Sequence, residues 1–419
     1  MGAVTPRNYS PQQPLGTRRH RPDYWLLVIS ALLLAVGLIV VYSISPALAA
    51  GQDVGDNYFI NKQLIAVGLG LVVFAITANV STKSWERLQT PLLVAAAISA
   101  VAVRLFGEEI NGAYRWIQIG GLSFQSVELI KFALLVWLAG FLTVRIRQGT
   151  LGDFRQTFRP LLIVLAILGV VVAGVQSDLG STGVAVLIMA VMAFVAGLPV
   201  KNILIIGAGI GALLILAVAT SEYRQNRVMT FLNPTADCLS TGYQSCQALI
   251  AVGSGGMAGL GLGHSVQAFG YLPEAENDSI FAIYAEKFGF IGVTVLLGLF
   301  LAFFAGIKRV MERAPDDYSR LLVTGVFAWL AVQMLINVGA MLGLLPLKGI
   351  TLPFISYGGT SVVFVMALVG MVYQVSRYTS YSTPRQSEAI KGRTHYENSR
   401  DRRRVRGAYH PNPGGRPRA

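Results

Sequence analysis

The sequence predicts an all-α polytopic membrane protein of about ten transmembrane helices, with one long extracytoplasmic loop between helices 7 and 8. Three observations carry this. Only 13% of the 419 residues are charged, about half the share of an ordinary soluble domain. Long stretches, among them Tyr24 to Ile44, Leu64 to Val80, Ile203 to Thr220 and Ile291 to Ile307, carry almost no charge. Roughly 20 such residues cross a hydrocarbon core about 30 Å thick. The runs are continuous and do not alternate polar with apolar, which argues against a β-barrel. Finally, the net charge of +13 is unevenly placed. Basic residues gather in the termini and in three short loops: Lys83/Arg87, Arg145/Arg147/Arg155/Arg159 and Lys308/Arg309/Arg313/Arg320. Short basic loops mark the cytoplasmic side. Ten crossings put all three loops and both termini there, so the surplus does not call for nucleic acid.

The elements follow in order. Residues 1–22 and 381–419 are polar, basic tails expected to be disordered. The second, with Arg402-Arg403-Arg404, either rests on anionic lipid or binds a partner. Between them, 23–380 forms one membrane domain. Its crossings are expected near 24–45, 61–80, 90–106, 123–144, 160–176, 181–198, 202–220, 280–307, 320–343 and 357–377. Ala47-Leu48-Ala49 has the form of a signal cleavage site. The run before it exceeds the ~7–15 residues of a signal core, so it reads as an uncleaved first crossing. The connection 221–279 is far longer than usual. It begins polar, turns Gly-rich from Gly253 to Gly263, and ends acidic at Glu274, Glu276 and Asp278. The Gly-rich run lacks the Gly-Lys-Ser/Thr ending of a phosphate loop and follows no strand, which excludes a nucleotide site. Gly207 and Gly211 read as close helix packing. Cys238 and Cys246 fall in the long loop, where disulfides persist; free thiols and a disulfide are both open.

Charges at a membrane edge are costly, so four groups stand out. Arg115 and Trp116, in the run Asn111-Gly-Ala-Tyr-Arg-Trp, either anchor an outer loop at the interface or hold a phosphate through the guanidinium. Glu128 and Lys131 share a helix face and either pair structurally or line a polar cavity. Asp178, at a tight turn, suits a helix cap. Glu274 and Asp278 lie four apart at the head of the eighth crossing. Massed carboxylates there raise one another's pKa, which suits a general base; alternatively they complement a helix dipole. The four histidines are scattered, and no His/Cys spacing suggests zinc. Gln333 and Asn337 in the ninth crossing either line a polar path or form interhelical hydrogen bonds.

Several long motifs resemble one family. Gly253-Ser-Gly-Gly, then Gly270-Tyr-Leu-Pro-Glu-Ala…Asp278…Ile280-Phe-Ala, is similar to the SEDS proteins of cell-wall synthesis. So are Leu345-Pro-Leu-Lys-Gly-Ile-Thr-Leu-Pro-Phe-Ile-Ser-Tyr-Gly-Gly-Thr-Ser361 and Asn111-Gly-Ala…Arg115-Trp-Ile…Phe124-Gln…Glu128…Lys131. The resemblance covers about 20–380. Leu-Pro-Glu-Ala and Lys348-Gly-Ile-Thr look like the division branch, FtsW-type, more than the elongation branch, RodA-type. There are departures: Ser126 and Ser177 stand where the family has proline, and Glu276-Asn277 precede Asp278 where it has His-Thr.

The resemblance implies a ten-helix peptidoglycan glycosyltransferase. It would polymerise lipid II, a disaccharide-pentapeptide on undecaprenyl pyrophosphate, into glycan strands at the division septum. It implies Asp278 as the essential aspartate and a class B penicillin-binding protein as transpeptidase partner, beside other division proteins. Arg115, Trp116, Glu128, Lys131, Glu274 and Lys348 become substrate-site candidates. Mg²⁺ or Mn²⁺ on the pyrophosphate is allowed, because oxygen ligands suffice. Rival readings are a lipid II flippase, which wants its charges near mid-membrane, a RodA-type elongation polymerase, and a non-catalytic division scaffold.

Overall fold

Helix boundaries follow the capping chemistry written in the chain. Ser81, Asp178 and Asp316 sit just before three helices, and each accepts a hydrogen bond from the N–H three residues on, satisfying an otherwise orphaned donor. Gly197 closes the helix that Asp178 begins, and Gly149 closes another, both in the left-handed conformation, which glycine adopts without steric penalty.

The computed structural model describes residues 16–19, 22–52, 54–110, 113–119, 122–219, 222–233, 238–240 and 242–381. A strand β1 (Gly16–Arg19) precedes α1 (Tyr24–Gln52), α2 (Tyr58–Thr77) and α3 (Thr82–Phe106). A small antiparallel meander follows, β2 (Glu108–Ile110), β3 (Ala113–Ile119) and β4 (Leu122–Gln125). Next come α4 (Ser126–Gln148) and α5 (Arg159–Leu168), the latter extended at both ends by π-helical turns, Phe154–Phe158 and Gly169–Val175. Then follow α6 (Leu179–Ala196), α7 (Val200–Ala219), α8 (Glu222–Leu232), α9 (Tyr243–Ser254), α10 (Ile280–Glu312), α11 (Asp317–Met341), α12 (Gly359–Ser376) and β5 (Tyr378–Tyr381). Among the described residues nine helical spans are long and apolar enough to cross a membrane, and α7 is apolar over Val200–Ala212. Each of the ten expected crossings thus finds a helix.

Helices α4, α11 and α12 are buried on nearly every side and form the centre of the bundle. Around them α1, α2, α3, α5 and α10 leave Ile39, Ile65, Ile98, Ile167 and Leu301 exposed, the surface that hydrocarbon covers.

The two ends of the bundle differ. At one, Asp23 pairs with Arg309 at 3.5 Å, its N–H donates to Ser376 Oγ, and β1 pairs antiparallel with β5. Both terminal segments therefore leave from the same end. Residues 16–19 form a strand where a disordered tail was expected; 1–15 and 382–419 lie outside the described residues. At the other end, the expected outer loop around Arg115 is instead the β2–β3–β4 meander. Asn111 and Gly112 also lie outside the described residues. The long connection is partly helical, and Cys238 and Cys246 form a disulfide at the head of α9.

Two irregular segments shape that end. Helix α10 breaks at Gly289 (φ 62°, ψ −165°). The break orphans two carbonyls and two amides, and the Gly-rich run takes up all four. Leu260 and Gly261 N–H donate to the Glu286 and Lys287 carbonyls (2.9 and 3.0 Å), while Phe290 and Ile291 N–H donate to Gly256 and Met257 carbonyls (2.8 and 3.1 Å). Inside a membrane protein such backbone must be satisfied internally. The segment before α12 dips into the bundle. Phe354 stacks edge-on to Phe303 at 5.1 Å. Its carbonyl lies against Gly37 in the middle of α1, where a Cβ would come within 2.3 Å of the oxygen.

Candidate active site

Asp278 lies in the turn between Leu272 and Ser279, directly before α10. The turn closes on itself: Asn277 and Ser279 N–H both donate to the Glu274 carbonyl at 3.1 Å, and Ser279 Oγ donates to the Pro273 carbonyl at 2.9 Å. Three successive carbonyls are then claimed from outside. Tyr357 N–H takes that of Glu276 (2.8 Å), Ser356 Oγ that of Asn277 (2.6 Å), and Asn337 Nδ2 that of Asp278 (2.7 Å). The Asn337 amide also donates to the Ile350 carbonyl at 2.8 Å, so one side chain of α11 clamps both loops. Asn337 thus bonds from a helix to two loops, where the sequence reading offered a polar path or bonds between helices.

Asp278 is half-buried. Its Oδ1 is buried without a hydrogen-bond partner, and Gly349 lies beside Oδ2, where a Cβ would stand 3.7 Å away. Burial pushes its pKa up to about 7; the charges of Glu274 and, less, Glu276 push the same way, partly offset by the amides of 278 and 279. Burial also raises Glu276. Two mechanisms, desolvation and like charge, therefore poise one carboxyl near neutrality. Such a group takes up a proton at pH 7 without binding it too tightly.

The other predicted residues divide into two sets. Arg115 donates through Nη2 to the Ser177 carbonyl (2.8 Å) and through Nε to that of Gln176 (3.4 Å). The same turn continues into Asp178, which caps α6 by accepting from Ser181 N–H (2.9 Å) and Oγ (2.7 Å); the capping reading is the one observed. Two residues on, Gly180 lies against the Lys348 side chain, and Lys348 precedes the Gly349 that lies beside Asp278. Arg115, the 176–180 turn, Lys348 and Asp278 thus form one continuous arc. Glu274 belongs to it, accepting from Asn277 Nδ2 at 2.7 Å. Trp116 is half-buried in β3, opposite Gln125 of β4. Glu128 and Lys131 stand apart. They pair at 2.7 Å, both buried, with Lys131 Nζ 4.7 Å from the Trp329 ring centroid. The geometry is that of an enclosed ion pair.

Both serines that replace the family's prolines do something proline cannot. Ser126 Oγ accepts from Gln176 Nε2 at 2.9 Å, tying α4 to the turn. Ser177 has φ 53°, whereas proline is held near −65°. Ser177, Glu274 and Phe354 are the non-glycine residues with positive φ among those described, and all three border this end. Strain of this kind gathers at functional sites.

Among the described residues no three His, Cys, Asp or Glu side chains cluster to hold a metal ion. Sequence reasoning also passed over Ser356, Tyr357 and Glu286. The last is buried in α10 and accepts from Val266 and Gln267 N–H and from Ser265 Oγ, holding the start of the acidic loop. The motif Phe354-Ile-Ser-Tyr was visible, but nothing in it revealed its partners.

Nine long apolar helical spans among the described residues, with α7 beside them and a partly buried carboxyl at the end opposite the terminal segments, define a polytopic membrane protein. The chain belongs to the FtsW/RodA/SpoVE family of cell cycle proteins, matched over residues 24–381. It is 39% identical to the stage V sporulation protein E of Bacillus subtilis over 87% of this chain and all of that one. It is 37% identical to the probable peptidoglycan glycosyltransferase FtsW of Hydrogenovibrio crunogenus, over 85% of this chain and 92% of that protein. The fold matches the rod shape determining protein RodA of Thermus thermophilus with a TM-score of 0.64 at 28% identity, over 86% of this chain and 98% of that one. It matches a chain from a peptidoglycan synthase complex, described as coordinating polymerization and crosslinking, with a TM-score of 0.70 at 29% identity, over 85% and 98%.

Proposed function

We propose that this chain is a peptidoglycan glycosyltransferase that polymerises lipid II at the outer face of the cytoplasmic membrane during septal wall synthesis, with Asp278 as general base. The observation that carries the proposal is the carboxyl raised to about 7 and held in place by three successive backbone tethers. In the reaction, Asp278 takes the proton of the acceptor sugar's 4-hydroxyl. The freed oxygen attacks the anomeric carbon of the donor chain, and the bond to the lipid pyrophosphate breaks with its electron pair on the leaving group. That group is strongly anionic and needs cations. Arg115 and Lys348, on the arc beside Asp278, fill this role. Glu274 holds the turn and raises the pKa of the base. Trp116 anchors the meander that presents Arg115, and the Glu128–Lys131 pair braces α4 against α11 beneath it. Mg²⁺ or Mn²⁺ enters only as a companion of the substrate's pyrophosphate oxygens.

The basic loops at the termini end support cytoplasmic tails, and the disulfide at the other end supports an oxidising compartment. The division role is supported by relatives named FtsW at 34–37% identity. A class B penicillin-binding protein as partner is supported by the likeness to a chain of a synthase complex. Against transport, the acidic cluster lies at the bundle's end.

The test is polymerisation of fluorescent lipid II by the purified chain, with and without partner and divalent ion. Asp278→Asn is expected to lower turnover by about 10²–10⁴-fold, the usual contribution of a general base. Near-normal turnover by that variant would sink the assignment.

A further inference from the structure

Beside the Asp278 turn lies a cleft that the proposed mechanism leaves unused. The start of α2, the β3–β4 hairpin and the start of α12 enclose about 200 Å³. Its lining combines two chemistries. Tyr58, Phe59 and Tyr357 form an aromatic wall, with Phe59 edge-on to both neighbours at 5.4 Å. Lys62, Gln118 and Ser123 add polar groups. Lys62 Nζ sits 4.3 Å from the Tyr58 ring centroid and donates to its hydroxyl, which holds the ammonium at the cleft. Burial, with Tyr58 and Glu276 nearby, pushes the Tyr357 phenol up to about 12, so it remains a neutral donor.

Sugar rings present this pair of surfaces in return: faces of C–H groups that suit aromatic rings, and hydroxyl and acetamide groups that need donors and acceptors. The volume lies below the ~300–1,000 Å³ of sites for drug-sized ligands, so it has room for one ring and not for a disaccharide. The wall is also bonded to the catalytic turn, since Tyr357 N–H and Ser356 Oγ donate to the carbonyls of Glu276 and Asn277.

We propose that this cleft is a saccharide subsite, holding one N-acetylated sugar ring of the glycan strand, with the aromatic wall on its C–H face and Lys62 and Gln118 on its polar edge. The proposal rests on the glycosyltransferase reading and names where that enzyme grips its polymer. The subsite orients the strand through the same hydrogen-bonded loop that positions Asp278.

The experiment uses the full chain in nanodiscs and a lipid-free tetrasaccharide of alternating N-acetylglucosamine and N-acetylmuramic acid. Saturation-transfer NMR reads binding, and lipid II polymerisation is followed in parallel. Lys62→Met and Gln118→Leu are expected to weaken tetrasaccharide binding at least fivefold, whereas Asp278→Asn binds like wild type. Gln118 is exposed on its strand, so its variant keeps the fold; unchanged melting checks both. Binding that neither cleft variant alters overturns the subsite, as does no binding by a chain that polymerises lipid II. A chain that binds through the cleft yet forms no glycan supports the subsite and overturns the glycosyltransferase reading.

Discussion

As the proposed base, Asp278 meets two opposing demands: the fold prefers it protonated, and the proposed reaction needs it charged. A raised carboxyl favours the folded state fully at pH below about 3.8, its ordinary value, and that contribution is lost as pH climbs to about 7. Activity runs the other way, because only the deprotonated form accepts a proton. kcat/KM for lipid II should therefore rise about tenfold per pH unit up to about 7 and then level. Glu274→Gln removes the larger of the two neighbouring charges, so the rising limb should move to lower pH; a limb that stays in place contradicts the assigned cause. Ser177 supplies a second residue-scale test. Its φ of 53° is open to glycine and closed to proline. Ser177→Gly should keep the Arg115 latch and near-normal turnover. Ser177→Pro should lose both and cost about 1–3 kcal/mol in thermal unfolding, the scale of backbone strain. The acidic turn and Arg115 were legible as candidates because charges at a membrane edge are rare. That Arg115 grips a turn some sixty residues away was not, since nothing local encodes a partner so distant.

Helix α10 shows the same limit for an element. Its apolar stretch announced a crossing, and the Gly-rich run could be recognised as no phosphate loop. Its actual use, sealing the break at Gly289, depends on backbone contacts between 256–261 and 286–291. Composition alone cannot reveal them. Two glycines of the run separate these roles. Gly259 has φ 80°, and a Cβ there would come within 2.1 Å of the Lys287 carbonyl oxygen; a Cβ on Gly253 meets nothing within 4 Å. Gly259→Ala should lower the melting temperature and abolish polymerisation, because it displaces the seal and the turn behind it. Gly253→Ala, within α9, should be neutral or stabilise by up to about 1 kcal/mol through helix propensity. Thermal melts in nanodiscs with activity alongside decide between them. The meander at 108–125 escaped the sequence reading because its longest strand, Ala113–Ile119, places apolar residues side by side instead of alternating them, and the other two have only three and four residues.

For the whole molecule, the disulfide offers a direct check on sidedness. Intact protein should take up no alkyl group before reduction and two after it, read by mass spectrometry. Cys238→Ser should cost about 2–3 kcal/mol, the loop-entropy estimate for so short a separation, while leaving the bundle assembled. Two alkyl groups taken up without reductant would end the sidedness argument.

By itself the sequence determined the membrane class, the number of crossings and the uneven placement of charge. These follow from transfer of single side chains between water and hydrocarbon, a property each residue carries alone. It also marked which charges deserved attention. Tertiary structure decided where those charges sit: Glu128 and Lys131 pair with each other, Arg115 latches a turn, and burial beside two carboxylates raises the pKa of Asp278 while three tethers hold its backbone. Each of those roles is an interaction between residues far apart in the chain, and its energy exists only once folding brings them within a few ångströms.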